Sequence, residues 1–288
     1  MSDFIFPAIG FGTGAIDGWQ SDSDKVSETV QVAIEAGYRL IDTAAVYGNE
    51  RSVGRGLRES GVARDELLVT SKLWNSDQGY DECLRAFDAS QERLALERID
   101  LYLIHWPNPD KTLDTWRAME RLVDEGRVGA IGVSNFRISD LEQLAEAANV
   151  PPVCNQIELH PYWQQPELRA ECAERGVQVV SWSPLGTGAW SGVESGDKPL
   201  ADPVVAEIAA AHGVGAAQVI LRWNLQHGLI PIPKSETPAN IRANIAIQEF
   251  ELSEEQMSAL DQLGQTKRRR LGGDPNDQSG MAGLSVPD

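Results

Sequence analysis

Short apolar segments and amphipathic segments alternate along almost all of the 288-residue chain. The apolar segments, rich in β-branched residues, are AIGFGT, YRLID, LLVTSK, IDLYLIH, RVGAIGVS, PVCNQIE, VQVVSWS and GLIPIPK. The segments between them have helical spacing; SDKVSETVQVAIEAG, for example, begins with cap-type residues and ends at Gly37. The pattern predicts a strand followed by a helix, repeated eight times.

Strands that are apolar on both sides, alternating with helices, indicate a parallel sheet covered by helices. Eight such units are typical of an α/β fold of the (β/α)8 TIM-barrel type, and we expect residues 1–288 to form one such domain. A doubly wound open sheet is the alternative, and it requires a glycine-rich turn that opens a helix after the first strand. GFGTGAIDGWQ contains Gly10, Gly12 and Gly14, but it lacks the G-x-G-x-x-G spacing and a helical pattern. The barrel is therefore the preferred interpretation.

Two segments depart from the alternation of strands and helices. LGTGAWSGVESGDKPLADP, from Leu185 to Pro203, predicts a long loop after the seventh strand. Residues 264–288 predict a loop-like C-terminal tail. Long loops in a compact domain tend to be functional or disordered, and both alternatives stay open for these segments.

The composition argues against several classes of partner. A formal net charge of -18 would repel nucleic acid and an anionic membrane surface, and we expect neither as a partner. There is no apolar run of membrane length and no signal-type segment at the N-terminus. The three cysteines, Cys83, Cys154 and Cys172, lack metal-ligand spacing and suggest a reducing compartment. These features predict a cytoplasmic protein.

Polar residues follow several of the predicted strands. Asp42 ends YRLID, Tyr47 lies on the next loop, Lys72 ends LLVTSK and His105 ends IDLYLIH. Taken singly, Asp42 could cap a helix, Tyr47 and His105 could be packing residues, and Lys72 could lie on the surface. In a barrel, however, all strands end at the same face, so the four side chains come together there.

The four residue types suit the reduction of a carbonyl group. Tyrosine is a poor acid at neutral pH, but a nearby ammonium lowers its pKa, and a carboxylate can hold that ammonium in place. Such a tyrosine can donate a proton to a carbonyl oxygen that a histidine N–H orients. No side chain supplies a hydride, and a nicotinamide cofactor would do so.

These residues lie in motifs that resemble the aldo-keto reductase family over residues 7–275. The matching stretches are GFGTG, GYRLIDTAAVYGNE, SKLW, DLYLIHWP, GVSNF, NQIELHPY, SWSPLG and IPKS. The resemblance implies a TIM barrel and the reversible reduction of aldehydes and ketones. It also implies that Tyr47 is the general acid, that Lys72 with Asp42 lowers the pKa of Tyr47, and that His105 orients the carbonyl.

The resemblance further implies a cofactor site and a substrate pocket. The implied cofactor-binding residues are Thr13, Ser134, Asn135, Gln156, Trp182, Ser183, Leu185, Gly186, Thr187, Lys234, Ser235, Asn240 and Asn244. The implied pocket residues are Trp19, Trp74 and Trp106, with specificity set by the C-terminal tail. An aromatic wall suits a small apolar or aromatic carbonyl substrate.

The preferred cofactor is predicted to be NADPH, with NADH as a possible alternative. Family members usually grip the 2′-phosphate with an arginine where this chain has Asn240, while Arg242 lies two residues further on. Glu236 also lies beside Ser235, where a phosphate is expected. We therefore expect a smaller preference for NADPH than the family usually shows.

Two other functions compete with the reductase. A non-catalytic regulatory protein that senses the cofactor would use the same fold, but it would be expected to lack one of the four catalytic residues. A metal-dependent barrel hydrolase would require closely spaced ligands, whereas His105, His160, His212 and His227 are scattered along the chain. We favour the reductase, acting as a monomer.

Overall fold

The computed structural model describes residues 4–186, 198–281 and 283–287, which contain one eight-stranded sheet with its strands in chain order. The strands are β1 (Phe11–Gly12), β2 (Leu40–Asp42), β3 (Leu68–Leu73), β4 (Ile99–Ile104), β5 (Val128–Ser134), β6 (Cys154–Glu158), β7 (Gln178–Trp182) and β8 (Ile230–Pro231). All neighbouring strands are parallel. Hydrogen bonds from Gly10 N to Pro231 O (3.0 Å) and from Gly12 N to Pro233 O (3.1 Å) join β1 to β8. The predicted TIM barrel is confirmed.

Helices alternate with these strands in the described residues. They are α1 (Asp24–Glu35), α2 (Glu50–Glu59), α3 (Tyr80–Leu94), α4 (Thr112–Asp124), α5 (Ile138–Ala147), α6 (Pro166–Glu174), α7 (Pro203–His212), α8 (Ala216–Gln226), α9 (Pro238–Ile245) and α10 (Glu254–Thr266). The first helix stops where the sequence predicts, because Gly37 has a φ of 108° that continues no helix. Two helices, α7 and α8, lie in the part of the connection from β7 to β8 that the structure describes.

The strands β1 and β8 are shorter than the sequence pattern suggests. Each contains only two residues, whereas AIGFGT and GLIPIPK were expected to be strands. Pro231 and Pro233 have no N–H to donate to a neighbouring strand, so they take part only through their carbonyl oxygens. The barrel is therefore closed by a sparse set of hydrogen bonds at this seam.

Side chains of each strand alternate between two apolar clusters. The barrel interior is filled by Leu40, Leu101, Leu103, Ala130, Cys154, Val180, Ile230 and Ile232. The intervening residues, such as Ile41, Tyr102 and Ile104, pack outward in the larger cluster that includes the helices. This alternation has the period of two expected of strands and leaves one end of the interior to polar side chains.

The last helix and the tail differ slightly from the prediction. Helix α10 continues to Thr266, so the irregular tail begins at Lys267 rather than at Gly264. Among the described residues no single helix is long and apolar enough to span a membrane; α7 and α8 meet that test only as a pair, bent by 91°.

Gly54 marks the closest approach between helices α2 and α3. A Cβ at this position would overlap the carbonyl oxygen of Leu94, at the end of α3. We expect Gly54→Ala to lower the free energy of unfolding by about 1–3 kcal/mol, because the two helices must separate. Gly283→Ala is the control, since its Cβ would meet no atom within 4 Å. Urea denaturation of both variants tests this, and equal stabilities would contradict it.

Candidate active site

The period of two along each strand decides which polar side chains face the barrel interior. Leu40 and Leu103 belong to the interior cluster, and Asp42 and His105 follow them by two positions. Lys72 lies beside Leu103 in the register of β3 and β4. The same spacing carries the predicted residues Ser134 and Trp182 at the ends of β5 and β7, and Gln156 two residues before the end of β6. The strand ends thus collect the predicted polar residues at one face of the barrel.

Lys72 is the centre of this group. Its side chain is 0% exposed, and its ammonium donates to Asp42 Oδ1 at 2.5 Å and to the carbonyl oxygen of Thr43 at 2.9 Å. The third contact of Lys72 Nζ is the Tyr47 hydroxyl, at 3.4 Å. An ammonium buried this completely requires a charged partner, because an unpaired charge in the interior costs several kcal/mol. The structure therefore brings together Asp42, Lys72 and Tyr47 as one network.

Asp42 has a second partner that the sequence did not reveal. Gln156, predicted to bind the nicotinamide amide, donates from Nε2 to Asp42 Oδ2 at 2.7 Å. Both carboxylate oxygens of Asp42 are thus occupied, one by Lys72 and the other by Gln156. Gln156 Oε1 takes no part in this hydrogen bond.

A network around Asn49 fixes the loop that carries Tyr47. Tyr47 ends a short 3-10 helix, Ala45–Tyr47, and Gly48 then turns the backbone with a φ of 63°. Asn49 donates from Nδ2 to the carbonyl oxygen of Thr13 at 2.9 Å and accepts from Thr43 Oγ1 at 2.9 Å. Sequence reasoning missed Asn49 and Thr43. The available signal in the sequence was the Gly48-Asn49 pair, which is typical of a turn.

Three effects of opposite direction set the pKa of Tyr47. Burial raises the pKa of the Tyr47 hydroxyl above 10.0; the Lys72 ammonium opposes this, and the Asp42 carboxylate adds to it. Lys72 thus lowers this pKa, as predicted, but Asp42 raises it and burial outweighs the ammonium, so the net direction is upward. Tyr47 consequently holds its proton at neutral pH.

At neutral pH, Lys72 is charged and His105 is neutral. Burial disfavours the charge of Lys72, but Asp42 and Tyr47 outweigh it and raise the pKa of the ammonium above 10.5. Burial, helped by the charge of Lys72, holds the pKa of His105 well below 6.5. At neutral pH the site therefore contains an ammonium, a protonated phenol and a neutral imidazole.

Aromatic side chains surround Tyr47 and His105. The ring centroids of Trp74 and His105 lie 5.1 Å apart, and those of Trp19 and Tyr47 lie 5.8 Å apart, both edge to face. Trp106 belongs to the same cluster, which also contains the tail residues Met281, Leu284 and Val286. The structure thus places all three tryptophans of the predicted substrate pocket beside the polar network.

The predicted amide-binding residues form a second network. Asn135 has a φ of 62° and donates from Nδ2 to the His105 carbonyl oxygen at 3.0 Å and to Ser134 Oγ at 3.1 Å. It accepts from Trp182 Nε1 at 2.9 Å, while Ser134 Oγ donates to the carbonyl oxygen of Gln156 at 2.8 Å. The indole N–H of Trp182 thus orients Asn135. The two faces of the indole ring take no part in this hydrogen bond.

The loop after β7 is only partly described. Ser183 and Gly186 both have left-handed backbones, with φ values of 47° and 74°. Leu185 packs against the main core. Thr187, also predicted to bind the cofactor, lies outside the described residues.

The predicted cofactor residue Thr13 is occupied by a structural contact. Its N–H and its hydroxyl both donate to the carbonyl oxygen of Asp42, at 2.9 and 3.0 Å, and the residue is 0% exposed. Thr13 therefore holds the end of β1 against the end of β2.

An ion cluster lies at the end of β8. Lys234 Nζ is 2.5 Å from Glu236 Oε1, and Lys25, from helix α1, contacts the other carboxylate oxygen. Hydrogen bonds from Lys234 and Lys25 lower the pKa of Glu236 to about 2. Ser235 Oγ accepts from Thr237 N at 3.2 Å. The Glu236 carboxylate thus forms ion pairs with both ammonium groups at the place where the sequence predicts a phosphate.

Helix α9 carries the two predicted asparagines in different environments. Asn240 is exposed and Asn244 is buried, at 4% exposure.

Among the described residues, no group of three or more His, Cys, Asp or Glu side chains could hold a metal ion.

Comparison with known proteins decides the family. The model of the Aldo/keto reductase family matches residues 8–265. This chain belongs to the aldo-keto reductase family. It is 47% identical over 271 residues to the glyoxal reductase of Bacillus subtilis (strain 168), covering 94% of this chain and 93% of that protein. It is 46% identical over 279 residues to the morphine 6-dehydrogenase of Pseudomonas putida, covering 94% of this chain and 91% of that protein.

A solved structure adds a cofactor-bound relative. The Bombyx mori aldo-keto reductase in complex with NADP superimposes with a TM-score of 0.86 at 37% identity, covering 98% of this chain and 94% of that chain. This aldo-keto reductase is accordingly an oxidoreductase that reduces the carbonyl groups of aldehydes and ketones to alcohols with a nicotinamide cofactor. Nothing in the described residues favours the non-catalytic alternative.

The neutral state of His105 predicts a loss of stability in acid. Its pKa in the folded state lies well below the 6.5 of an exposed histidine, so below pH 6.5 the unfolded chain binds a proton that the folded chain does not. Protonation of His105 in the unfolded chain lowers the free energy of unfolding by about 1 kcal/mol at pH 5.5. Above pH 6.5 this effect is absent. Urea unfolding at pH 7.5 and 5.5 should show a smaller acid loss for His105→Gln than for the wild type; equal losses would contradict the prediction.

Proposed function

We propose that this aldo-keto reductase uses NADPH in preference to NADH and that Tyr47 donates the proton to the substrate oxygen. The observation that carries the role of Tyr47 is the fully buried Lys72, whose ammonium is shared between Asp42 and the Tyr47 hydroxyl. A buried cation 3.4 Å from a phenol stabilises the phenolate that forms as the proton leaves. It therefore contributes more to the transition state than to the resting state.

Tyr47 and His105 act on the same oxygen in this proposal. Tyr47 holds its proton at neutral pH, as a general acid must. The neutral His105 can donate one N–H hydrogen bond to the carbonyl oxygen without carrying a charge that would compete with Lys72. In the reverse direction, the Tyr47 phenolate accepts the proton of the alcohol.

The side chains present fit a nicotinamide dinucleotide. The cofactor supplies the hydride for the carbonyl carbon when it is bound. Trp182 is half-buried and fixed by Asn135, so it offers an aromatic ring for stacking beside the polar network. Gln156 can present Oε1 to an amide while its Nε2 stays on Asp42. Lys234 and Lys25 supply positive charge at the end of β8.

The margin between NADPH and NADH depends on Glu236 in this proposal. Lys234 and Lys25 favour a bound 2′-phosphate, but the Glu236 carboxylate already lies between them. A 2′-phosphate would have to displace that carboxylate or share the two ammonium groups with it, at a cost in like-charge repulsion. NADPH therefore binds more tightly than NADH, but by a reduced margin.

The substrate class follows from the walls of the pocket and from the relatives. Trp19, Trp74 and Trp106 provide apolar surface around Tyr47 and His105, which suits apolar and aromatic carbonyl compounds. The names of the relatives include a glyoxal reductase and a morphine 6-dehydrogenase, which differ widely in the size of the compound named. We propose a broad range of aldehydes and ketones.

Tyr47→Phe tests the proposed proton donor. Removing the hydroxyl leaves the ring and the pocket in place, so kcat should fall by at least about 1,000-fold while the Kd for the cofactor stays near that of the wild type. Tyr102→Phe is the matched control, because the buried Tyr102 hydroxyl has no hydrogen-bond partner among the described residues. Turnover is followed by NADPH absorbance with a panel of aldehydes and ketones. Wild-type turnover by Tyr47→Phe would refute the role of Tyr47.

Glu236→Gln tests the basis of the cofactor preference. Without the carboxylate, Lys234 and Lys25 are released to the 2′-phosphate, so the Kd for NADPH should fall about five-fold and the Kd for NADH should change little. Glu249→Gln, an exposed glutamate, controls for the change in net charge. Titrations that follow the quenching of tryptophan fluorescence give both constants. Tighter binding of NADH than of NADPH by the wild type would refute the preference itself.

A further inference from the structure

Glu158, at the end of β6, is a buried carboxylate that the proposed chemistry does not use. Its side chain is 0% exposed, and its Oε1 accepts the backbone N–H groups of Leu271 at 2.7 Å and of Gly272 at 2.8 Å. His160 Nε2 lies 3.1 Å from the same oxygen, and Arg270 donates to Oε2 at 3.4 Å. Glu158 thus ties the barrel to a tail segment that follows it by more than a hundred residues.

The tail residues held by Glu158 lie against two active-site tryptophans. A Cβ on Gly272 would overlap Cη2 of Trp182, and a Cβ on Gly273 would lie 2.9 Å from Cη2 of Trp106. Trp182 itself is fixed by its hydrogen bond to Asn135, independently of the tail. The two glycines therefore bring the tail backbone directly onto the aromatic wall, and Glu158 holds it at that distance.

From this anchor the tail continues across the pocket. Gln278 donates from Nε2 to the carbonyl oxygen of Pro107 at 2.9 Å, and Trp74 Nε1 donates to the carbonyl oxygen of Leu284 at 2.9 Å. Among these contacts, the one at Glu158 is the nearest to the start of the tail and is fully buried. A small shift there changes the position of the segments that follow it.

We infer that Glu158 is a positioning residue for carbonyl reduction: through Leu271 and Gly272 it sets the distance between the tail and the wall formed by Trp182 and Trp106, and hence the width of the substrate pocket. The effect on catalysis rests on the proposed function. Charge-assisted hydrogen bonds to two backbone N–H groups are strong, and removing the charge of Glu158 weakens both.

A second glutamate also accepts two backbone N–H groups, but it lies at a different location. Glu120, on helix α4, is 7% exposed and accepts the backbone N–H groups of Asn149 at 2.6 Å and of Val150 at 2.8 Å. It holds the connection between α5 and β6 and makes none of the tail contacts. Glu120→Gln therefore reports the cost of weakening such an anchor when the pocket is not involved.

Two variants test the inference by independent routes. Glu158→Gln keeps the shape of the side chain but removes its charge, whereas Gly273→Ala forces the tail away from Trp106, and its Cβ would meet no atom of Glu158 within 3.8 Å. Both should raise KM for the carbonyl substrate about ten-fold, because displacement of a pocket wall costs binding and orientation. Both should change the Kd for NADPH by less than about two-fold, because Asn135 continues to hold Trp182. Glu120→Gln and Gly283→Ala, whose Cβ would meet no atom within 4 Å, should keep the wild-type KM.

Amide hydrogen exchange gives a readout without substrate. The N–H groups of Leu271 and Gly272 should exchange at least about ten-fold faster in Glu158→Gln than in the wild type and unchanged in Glu120→Gln. The inference is overturned if these amides exchange at the wild-type rate, or if they exchange faster while KM is unchanged. It is also overturned if Gly273→Ala behaves like Gly283→Ala. Absence of carbonyl turnover by the wild type would instead count against the proposed function, and the exchange rates would still decide whether Glu158 anchors the tail.

Discussion

The buried ammonium of Lys72 is the interaction on which the arrangement of the active site depends. A lysine with no exposed surface is stable only if its charge is matched, and Asp42 supplies the matching charge at 2.5 Å. This requirement fixes the end of β2 against the end of β3 and brings the Tyr47 hydroxyl to within 3.4 Å of the same ammonium. The neutral His105 and the protonated Tyr47 follow from the same burial, because enclosure disfavours charge on both rings.

The barrel explains how such a lysine can be buried at all. Parallel strands end at one face, and the alternation of side chains directs every second residue toward the interior. Apolar residues fill the interior below, and the polar residues two positions further along each strand close it at the end. The tail supplies the remaining cover, since Met281, Leu284 and Val286 join the cluster of aromatic residues around Tyr47. A barrel end, a loop and a tail distant in sequence thus share one enclosed site.

Much of this was readable from the sequence because strand and helix periods are local. The eight repeats predicted the barrel, and the positions of Asp42, Lys72 and His105 at strand ends predicted that they would meet. Their meeting with Tyr47 needed only the rule that parallel strands of a barrel end together. The roles of Tyr47 and His105 in proton transfer remain predictions. The bonds from Gln156 to Asp42 and from Trp182 to Asn135 were not readable, because they depend on side-chain directions across neighbouring strands.

The sequence by itself determined the order of strands and helices, the face on which the polar residues gather and the chemistry that their types allow. Only the tertiary structure decided the net direction of the pKa of Tyr47, because the balance between burial and the Lys72 ammonium depends on how tightly the site is enclosed. It alone showed that Glu236 is held between two lysines and that Glu158 holds the tail. Periodicity acts over a few residues of one segment, whereas burial and ion pairing are set by segments that are far apart in the chain.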